Sequence, residues 1–203
     1  MNIFFATDIH GSGACWRKFL RCAEFYGADT LVLGGDMTGK GLAPILGRGG
    51  SYYTYIHDQR HDVAADELEH YVERIRDQGL YPFVVDEEEF EELRQDEKRL
   101  DELFQREVLE GVQRWVALAE ERLAGSSVRC FVCPGNDDML EVDEILAGSE
   151  RLEVAEGRVV DLAEGYALVS TGWSNPTPWN TYREDSEEQL AARIGRASCR
   201  ERV

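Results

Sequence analysis

Apolar runs of strand length alternate with helical patterns along the chain. Residues 2–6, 30–33 and 128–133 are such runs, and residues 12–26 place apolar side chains at helical spacing before Gly27, where we predict a helix end. A strand, a helix and a second strand in this order predict a β-α-β unit, in which the two strands pair in parallel. We therefore predict an α/β fold built on a parallel sheet.

A longer stretch with a different pattern separates the second strand from the third. Residues 39–55 are glycine-rich and end in β-prone tyrosines, which predicts a loop or a hairpin. Residues 64–78 predict a helix, residues 81–85 a short strand, and residues 87–123 one long helix or two shorter ones. We predict a mostly helical insertion over about residues 42–125, in which the many Asp and Glu residues form a solvated helix face.

The last third of the chain returns to short elements. Residues 142–147 predict a helix, and residues 158–162 and 166–171 predict a β-hairpin. A loop rich in Pro, Asn and Trp follows over residues 172–181, and a further helical pattern begins at Ser186.

The final ten residues, 194–203, are basic and have no amphipathic pattern. They read like the in-frame translation of a common sequencing adapter. We therefore expect a native domain over residues 1–193 that continues beyond this sequence, followed here by a tail that is not native and is excluded from fold reasoning.

The composition limits the classes of function. The formal net charge is −18 at pH 7, and a charge of this sign would repel a nucleic-acid backbone. No apolar run approaches the ~20 residues that span a bilayer, and the N-terminus lacks a signal pattern. We expect a cytoplasmic protein with no membrane or nucleic-acid partner.

The cysteine spacing does not indicate a disulfide framework or a zinc site. Cys15 and Cys22 are seven apart on the predicted helix, so both can face the core. Cys130 and Cys133 match C-x-x-C, but they lie in a predicted strand, where residues three apart point to opposite faces. We interpret them as buried small hydrophobic residues.

Three polar motifs come directly after the three predicted strands. Ligands bind at the carboxyl ends of the strands in an open α/β sheet, so we expect these motifs to converge. Their carboxylates, imidazole and amide are donors that suit Mn, Fe, Zn or Mg. The motifs are Asp8-Ile9-His10, Gly35-Asp36 and Gly135-Asn136-Asp137-Asp138.

The order D-x-H, then G-D, then G-N-x-D, each after a strand, resembles that of the calcineurin-like metallophosphoesterases. The resemblance covers about residues 1–193. It implies an α/β sandwich, a centre of two divalent metal ions, and a small-molecule phosphomonoester or phosphodiester substrate that is hydrolysed by a metal-bound hydroxide.

The resemblance also implies a role for each motif residue. Asp8 and His10 would hold the first ion, Asp36 would bridge the two ions, and Asn136 would bind the second. A carboxylate suits the bridge because it has two oxygens. Two glycines would let the backbone turn sharply and approach the ions. These glycines are Gly35 and Gly135.

The third motif departs from the family pattern. Asp137 stands where the family has a histidine that protonates the leaving group. A carboxylate beside two cations is ionised and is a poor proton donor, so we expect a preference for esters with good leaving groups or an acid supplied by metal-bound water. Asp138 would orient a neighbouring ligand. Asp137 and Asp138 are the candidate catalytic residues.

The second departure is that this sequence lacks the later histidine motifs of the family, which complete its two metal shells. The histidines of this sequence are His10, His57, His61 and His70. His57 and His61 are four apart and could bind a metal on a helix, but we interpret them as surface residues. We therefore expect this chain to bind metal weakly and to turn over little substrate.

The loop over residues 172–181 holds candidate substrate-binding residues. Trp173, Asn175, Trp179 and Asn180 could line a pocket beside the metals. Aromatic residues in a proline-rich loop serve equally often as packing anchors. The acidic insertion would either cap the site or form a partner surface.

Two alternatives remain open. The chain could be a mononuclear metal binder, an inert fragment or an interaction protein, because it carries only part of the ligand set of a two-metal centre. Residues 34–40 also match the start of a P-loop, G-x-x-x-x-G-K. That match is remote, because the next position is Gly41 rather than Ser or Thr, and Asp36 would place negative charge in a phosphate cradle.

Overall fold

A computed structural model describes residues 1–56 and 58–199, and these residues have an α/β fold. The described part of the chain contains ten strands, six α-helices and one short 3-10 helix. In chain order these elements are β1 (Ile3–Ala6), α1 (Gly13–Tyr26), β2 (Thr30–Leu33), β3 (Gly41–Arg48), β4 (Ser51–Ile56), β5 (Gln59–Val63), the 3-10 helix (Ala65–Glu67), α2 (Leu68–Asp77), β6 (Leu80–Asp86), α3 (Glu87–Gln95), α4 (Glu97–Leu123), β7 (Arg129–Val132), α5 (Val142–Ala147), β8 (Leu152–Val154), β9 (Val159–Ala163), β10 (Tyr166–Val169) and α6 (Glu187–Cys199).

The described residues divide into two compact units. The first contains Met1–Ile9, Trp16–Met37 and the chain from Val112 onward. The second contains His10–Cys15 and Thr38–Gly111.

The first unit contains a four-stranded sheet with the order β1-β2-β7-β8, and all of its strand pairs are parallel. The parallel pairing of β1 with β2 confirms the predicted β-α-β unit. β8 was not predicted, because a strand of three residues is too short to show an alternation pattern. This topology brings the carboxyl ends of four parallel strands to one edge of the sheet.

Both faces of this sheet are covered at its two central strands, which explains why these strands are largely apolar. On one face, Phe4 of β1 packs against Phe19 of α1, with ring centroids 6.2 Å apart. On the other face, Val32 and Phe131 form a buried cluster with Val160 of β9. β9 pairs with β10 as an antiparallel hairpin, as predicted.

The second unit contains a mixed four-stranded sheet with the order β5-β4-β3-β6, in which only β3 and β6 pair in parallel. Ile45 and Ile56 of this sheet pack against Ile75 of α2. The turn between β3 and β4 falls at Gly49 and Gly50, where φ is +59° and +87°. The hairpin expected within residues 39–55 is therefore present.

Residues 42–125 contain more strand than we predicted for a mostly helical insertion. The strand that was not predicted is β5. β5 is an edge strand with the sequence Gln-Arg-His-Asp-Val, of which only the valine is buried. A strand that is exposed along most of its length lacks the apolar alternation from which strands are predicted.

The predicted helices of this stretch are present. The stretch over residues 87–123 forms two helices, because Asp86 caps α3 by accepting a hydrogen bond from Glu89 N at 2.8 Å, and Asp96 does the same for Arg99 N at 3.1 Å near the start of α4. α2 ends before Gly79, which has φ of +85° and forms the expected cap. None of the helices in the described residues combines the length and the apolar character that a membrane span requires.

The P-loop interpretation of Gly34–Lys40 is wrong. A P-loop leads directly into a helix, whose N-terminus completes the phosphate cradle. Here the chain enters strand β3 at Gly41.

The cysteine prediction holds at two positions and is wrong at one. Cys130 and Cys133 are buried, and burial raises the pKa of the Cys130 thiol to about 12. Cys15 is exposed on α1, and Cys22 is partly buried. A seven-residue spacing places two side chains on the same side of a helix, but it does not place that side against the core.

Two other sequence predictions meet the limits of the described residues. His57 lies outside them, whereas His61 lies in strand β5, where the structure is not helical. Of the predicted tail, residues 194–199 belong to α6 and residues 200–203 lie outside the described part of the chain.

Candidate metal centre

Three motif side chains lie together at the carboxyl edge of the parallel sheet. Asp8 and His10 follow β1 and Asp36 follows β2, and one ligand atom from each of these residues lies within 4.8 Å of the other two. The main-chain N of Asp8 donates a hydrogen bond to the carbonyl O of Gly35 at 3.0 Å, which ties the first loop to the second. The predicted convergence of these two loops is therefore observed.

All three residues of this cluster have left-handed backbone conformations. The φ angles are +54° at Asp8, +39° at His10 and +46° at Asp36. Such angles cost roughly 1–3 kcal/mol each at a residue with a side chain, and they cluster at sites where function requires a particular side-chain direction. The surrounding fold holds these three side chains in place at the expense of stability, which is typical of a binding site.

The third loop packs directly on Asp36. Asp137 N donates to Asp36 Oδ1 at 3.4 Å, and Gly135 lies so close that a Cβ there would come within 3.0 Å of both Oδ1 and N of Asp36. Gly35 has φ of +131°, a conformation that glycine adopts without strain. The two predicted structural glycines therefore sit where close approach and an unusual turn require them.

Asp138 is fully buried and holds two of the loops together. Its Oδ2 accepts hydrogen bonds from Met37 N at 3.0 Å and from Gly135 N at 2.7 Å. Met37 directly follows Asp36, so this carboxylate fixes the backbone on both sides of the Asp36–Gly135 contact. The role of Asp138 in orienting a metal ligand stays a prediction. Asp137 is half-buried beside it.

Arg183 also holds the third loop, and the sequence patterns did not single it out. Its side chain is 1% exposed. Its guanidinium donates to the carbonyl oxygens of Asp138 and Met139, each at 3.0 Å, and to both carboxylate oxygens of Asp143 at 2.7 and 3.0 Å. A buried cation in an acidic chain is detectable only once the fold shows what surrounds it, because in sequence it reads as an ordinary surface arginine.

Asn136 is held from its side chain and from its backbone. Its Nδ2 donates to Thr181 Oγ1 at 3.1 Å, and its carbonyl O accepts from Arg183 N at 3.2 Å. Thr181 in turn donates to Glu184. The pKa of Glu184 is lowered to about 2, first by the hydrogen bond from the Thr177 hydroxyl and then by that from Thr181.

Three glycines support the turn that contains His10. A Cβ at Gly79 would overlap the carbonyl O of His10, a Cβ at Gly39 would overlap the carbonyl O of Gly79, and a Cβ at Gly11 would come within 3.0 Å of both Gly39 and Gly79. Three chain segments thus meet backbone to backbone behind the His10 turn. The sequence gives Gly79 a role only as a helix cap.

The candidate substrate residues lie on a loop that reaches the centre through Thr181. Trp179 is 80% exposed, and Asn180 has φ of +48°. Asn175 is exposed and donates to Pro176 O at 3.4 Å. Trp173 is partly buried, with the guanidinium of Arg193 3.7 Å from its ring centroid, so it takes part in packing on this loop. Substrate contact by Trp173, Asn175, Trp179 and Asn180 stays a prediction.

A fourth carboxylate follows the fourth parallel strand. Glu156 comes two residues after β8, and its Oε2 accepts from Gly172 N at 2.7 Å. Gly172 packs against Pro134 so closely that a Cβ would overlap the Pro134 carbonyl O. Burial raises the pKa of Glu156. Glu156 therefore holds the start of the 172–181 loop against the third motif.

The cluster fits a divalent cation in both donor type and spacing. Two carboxylates and an imidazole are ligands that Mn, Fe and Zn accept. Two ligands of one ion are at most about 4.2 Å apart when each bond is ~2.1 Å, so atoms within 4.8 Å of one another need only small movements to share an ion. The third loop lies close to Asp36 because Gly135 has no side chain.

Comparison with family models, with curated proteins and with solved structures found no match to this chain.

Proposed function

We propose that this chain carries metal-binding residues of a metallophosphoesterase that hydrolyses a phosphomonoester or a phosphodiester. The observation that carries the proposal is the cluster of Asp8, His10 and Asp36 at the carboxyl edge of a parallel sheet, in strained conformations that aim three ligands at one point. The order of the three motifs along the chain supports the assignment of the reaction class.

Four residues would hold the two ions. Asp8 and His10 would bind the first ion, Asp36 would bind both, and Asn136 would add a neutral oxygen for the second. Divalent ions at such a site activate water and stabilise the charge of a phosphoryl group. The neutral Asn136 limits the negative charge that a phosphate would meet.

The remaining motif residues orient these ligands and set substrate preference. The backbone N–H of Asp137 donates to Asp36, and Asp138 fixes the backbone on both sides of this contact. The Asp137 carboxylate is a poor proton donor beside cations, so esters whose leaving groups need no protonation are favoured. Aryl phosphodiesters meet this requirement.

The test is hydrolysis of an aryl phosphodiester with Mn²⁺ by the full-length protein. We expect Asp36→Ala to abolish turnover, whereas Asp101→Ala, which removes an exposed carboxylate on α4, leaves it unchanged. Turnover by Asp36→Ala at the wild-type rate would contradict the bridging role.

A mononuclear metal binder is the second candidate. It is favoured by the fact that the cluster found among the described residues contains three ligands, a set that one ion can satisfy. The stoichiometry of Mn²⁺ binding separates the two candidates, because a two-metal centre binds a second equivalent that Asn136→Ala removes.

A further inference from the structure

A chain of three hydrogen-bonded side chains leads from the 172–184 segment to the candidate centre. Thr181 Oγ1 donates to Glu184 Oε1 at 2.7 Å, and Asn136 Nδ2 donates to Thr181 Oγ1 at 3.1 Å. Glu184 Oε1 also accepts from Thr181 N at 2.8 Å. Asn136 is the only one of these residues that belongs to a motif.

The carboxylate at the end of this chain sets its direction. Glu184 is ionised at neutral pH, because hydrogen bonds from Thr177 and Thr181 lower its pKa to about 2, so it accepts hydrogen bonds and donates none. The Thr181 hydroxyl must therefore donate its hydrogen bond to Glu184. The lone pairs of the Thr181 oxygen then accept a hydrogen bond from a neighbour. Of the two ends of the Asn136 amide, only the nitrogen can satisfy that acceptor.

The backbone around this chain is also fixed. Arg183 N donates to the Asn136 carbonyl O, and the Arg183 guanidinium is buried under the third motif. Glu184 further accepts from the N and the Oγ1 of Thr177, at 3.0 and 2.6 Å. The hydroxyl of Thr181 is thus held at one position and presented to Asn136 from a loop with little freedom.

We propose that Thr181, held by Glu184, is a positioning residue that commits the Asn136 amide nitrogen and so turns the amide oxygen toward the metal ion. A flipped amide would present N–H groups to a cation and repel it. This inference rests on the proposed metal-binding role of Asn136. It assigns a role in metal affinity to Thr181 and Glu184, which both lie outside the three motifs.

The experiment compares three variants by Mn²⁺ titration and by the side-chain amide resonances of Asn136 in the metal-free protein. Thr181→Val removes the hydroxyl but keeps the shape of the side chain, and Thr181→Ser restores the hydroxyl. Thr177→Val is the matched control, because it removes a hydroxyl that donates to the same carboxylate but does not contact Asn136.

We expect Thr181→Val to weaken Mn²⁺ binding by about tenfold to a hundredfold, the range for loss of a group that orients a ligand. Thr181→Ser and Thr177→Val should stay within about threefold of the wild type. The Asn136 amide proton resonances should move on Thr181→Val and stay in place on Thr177→Val.

Three outcomes would overturn the inference in distinguishable ways. If all variants bind Mn²⁺ like the wild type, Thr181 has no role in metal affinity, although the proposed function stands. If Thr177→Val and Thr181→Val lose affinity equally, loop integrity rather than amide direction is responsible. If the wild type binds no Mn²⁺, the proposed function itself fails, and the resonances still report whether Thr181 holds Asn136.

Discussion

Substitution of Gly135 by alanine is the sharpest perturbation that the candidate centre offers. A Cβ at this position would lie less than 3.0 Å from Asp36 Oδ1 and Asp36 N and 3.1 Å from Asp36 Cα. Two of these atoms are backbone and cannot rotate away, so either the Asp36 loop or the third motif must move by roughly an ångström. Metal ligands tolerate only about 0.2 Å of displacement.

The magnitudes follow from this clash. Overpacking of this kind costs about 1–3 kcal/mol in the free energy of unfolding, and a chain of this size loses ~2–4 °C in Tm per kcal/mol. We expect Mn²⁺ affinity to fall by at least about tenfold, because Asp36 leaves its place beside Asp8 and His10. Urea denaturation and Mn²⁺ titration measure the two effects.

The control for this variant is Gly148→Ala. Gly148 caps α5 with φ of −76°, and a Cβ there would meet its nearest neighbours at 3.4 and 3.6 Å, an ordinary contact distance. We expect it to change stability by less than about 0.5 kcal/mol and to leave Mn²⁺ binding unchanged. If Gly135→Ala behaved like Gly148→Ala, the packing of the third motif against Asp36 would be wrong.

Three further predictions test the surroundings of the centre. Arg183→Met should cost about 2–3 kcal/mol in urea denaturation, because it leaves the buried carbonyl oxygens of Asp138 and Met139 without their donor; the pair with Asp143 adds less, since that carboxylate is 38% exposed. Arg94→Met, at a pair exposed on both sides, should cost less than about 1 kcal/mol, and equal costs would contradict the buried role of Arg183. A thiol reagent followed by mass spectrometry should modify Cys15 in the native protein and Cys130 only after unfolding, since burial raises the pKa of Cys130 to about 12; early labelling of Cys130 would refute this. The lowered pKa of Glu184 should stabilise the fold above pH 4.5, and this contribution should disappear as the pH falls toward about 2. The difference in the free energy of unfolding between the wild type and Glu184→Gln should therefore become smaller over this pH interval. A difference that stays constant would show that the carboxylate charge is not involved.

The local elements of the sheet could be predicted because their physics is contained in short segments. The runs that became β1, β2 and β7 are largely apolar, and β2 and β7 are buried along most of their length, as expected for central strands covered on both faces. β5 and β8 could not be predicted, because one is a polar edge strand and the other has only three residues. The exposure of Cys15 likewise depends on which side of α1 meets the sheet.

In the candidate centre, only the residues of the sequence motifs could be predicted. The convergence of Asp8, His10 and Asp36 follows from the rule that parallel strands place their carboxyl ends at one edge. The residues that hold the third motif in place were not, because Thr181 and Arg183 lie 45 residues along the chain from their partners Asn136 and Asp138. No spacing rule connects positions so far apart without a fold.

The central claim is that Asp8, His10 and Asp36 bind a divalent cation. Its most direct test is anomalous diffraction at the manganese edge from crystals of this chain soaked in Mn²⁺. We predict an anomalous peak enclosed by the three ligand atoms, which disappears in Asp36→Ala crystals grown and soaked in the same way. Wild-type crystals that show Mn²⁺ elsewhere on the protein, but no peak among these three side chains, would contradict the claim.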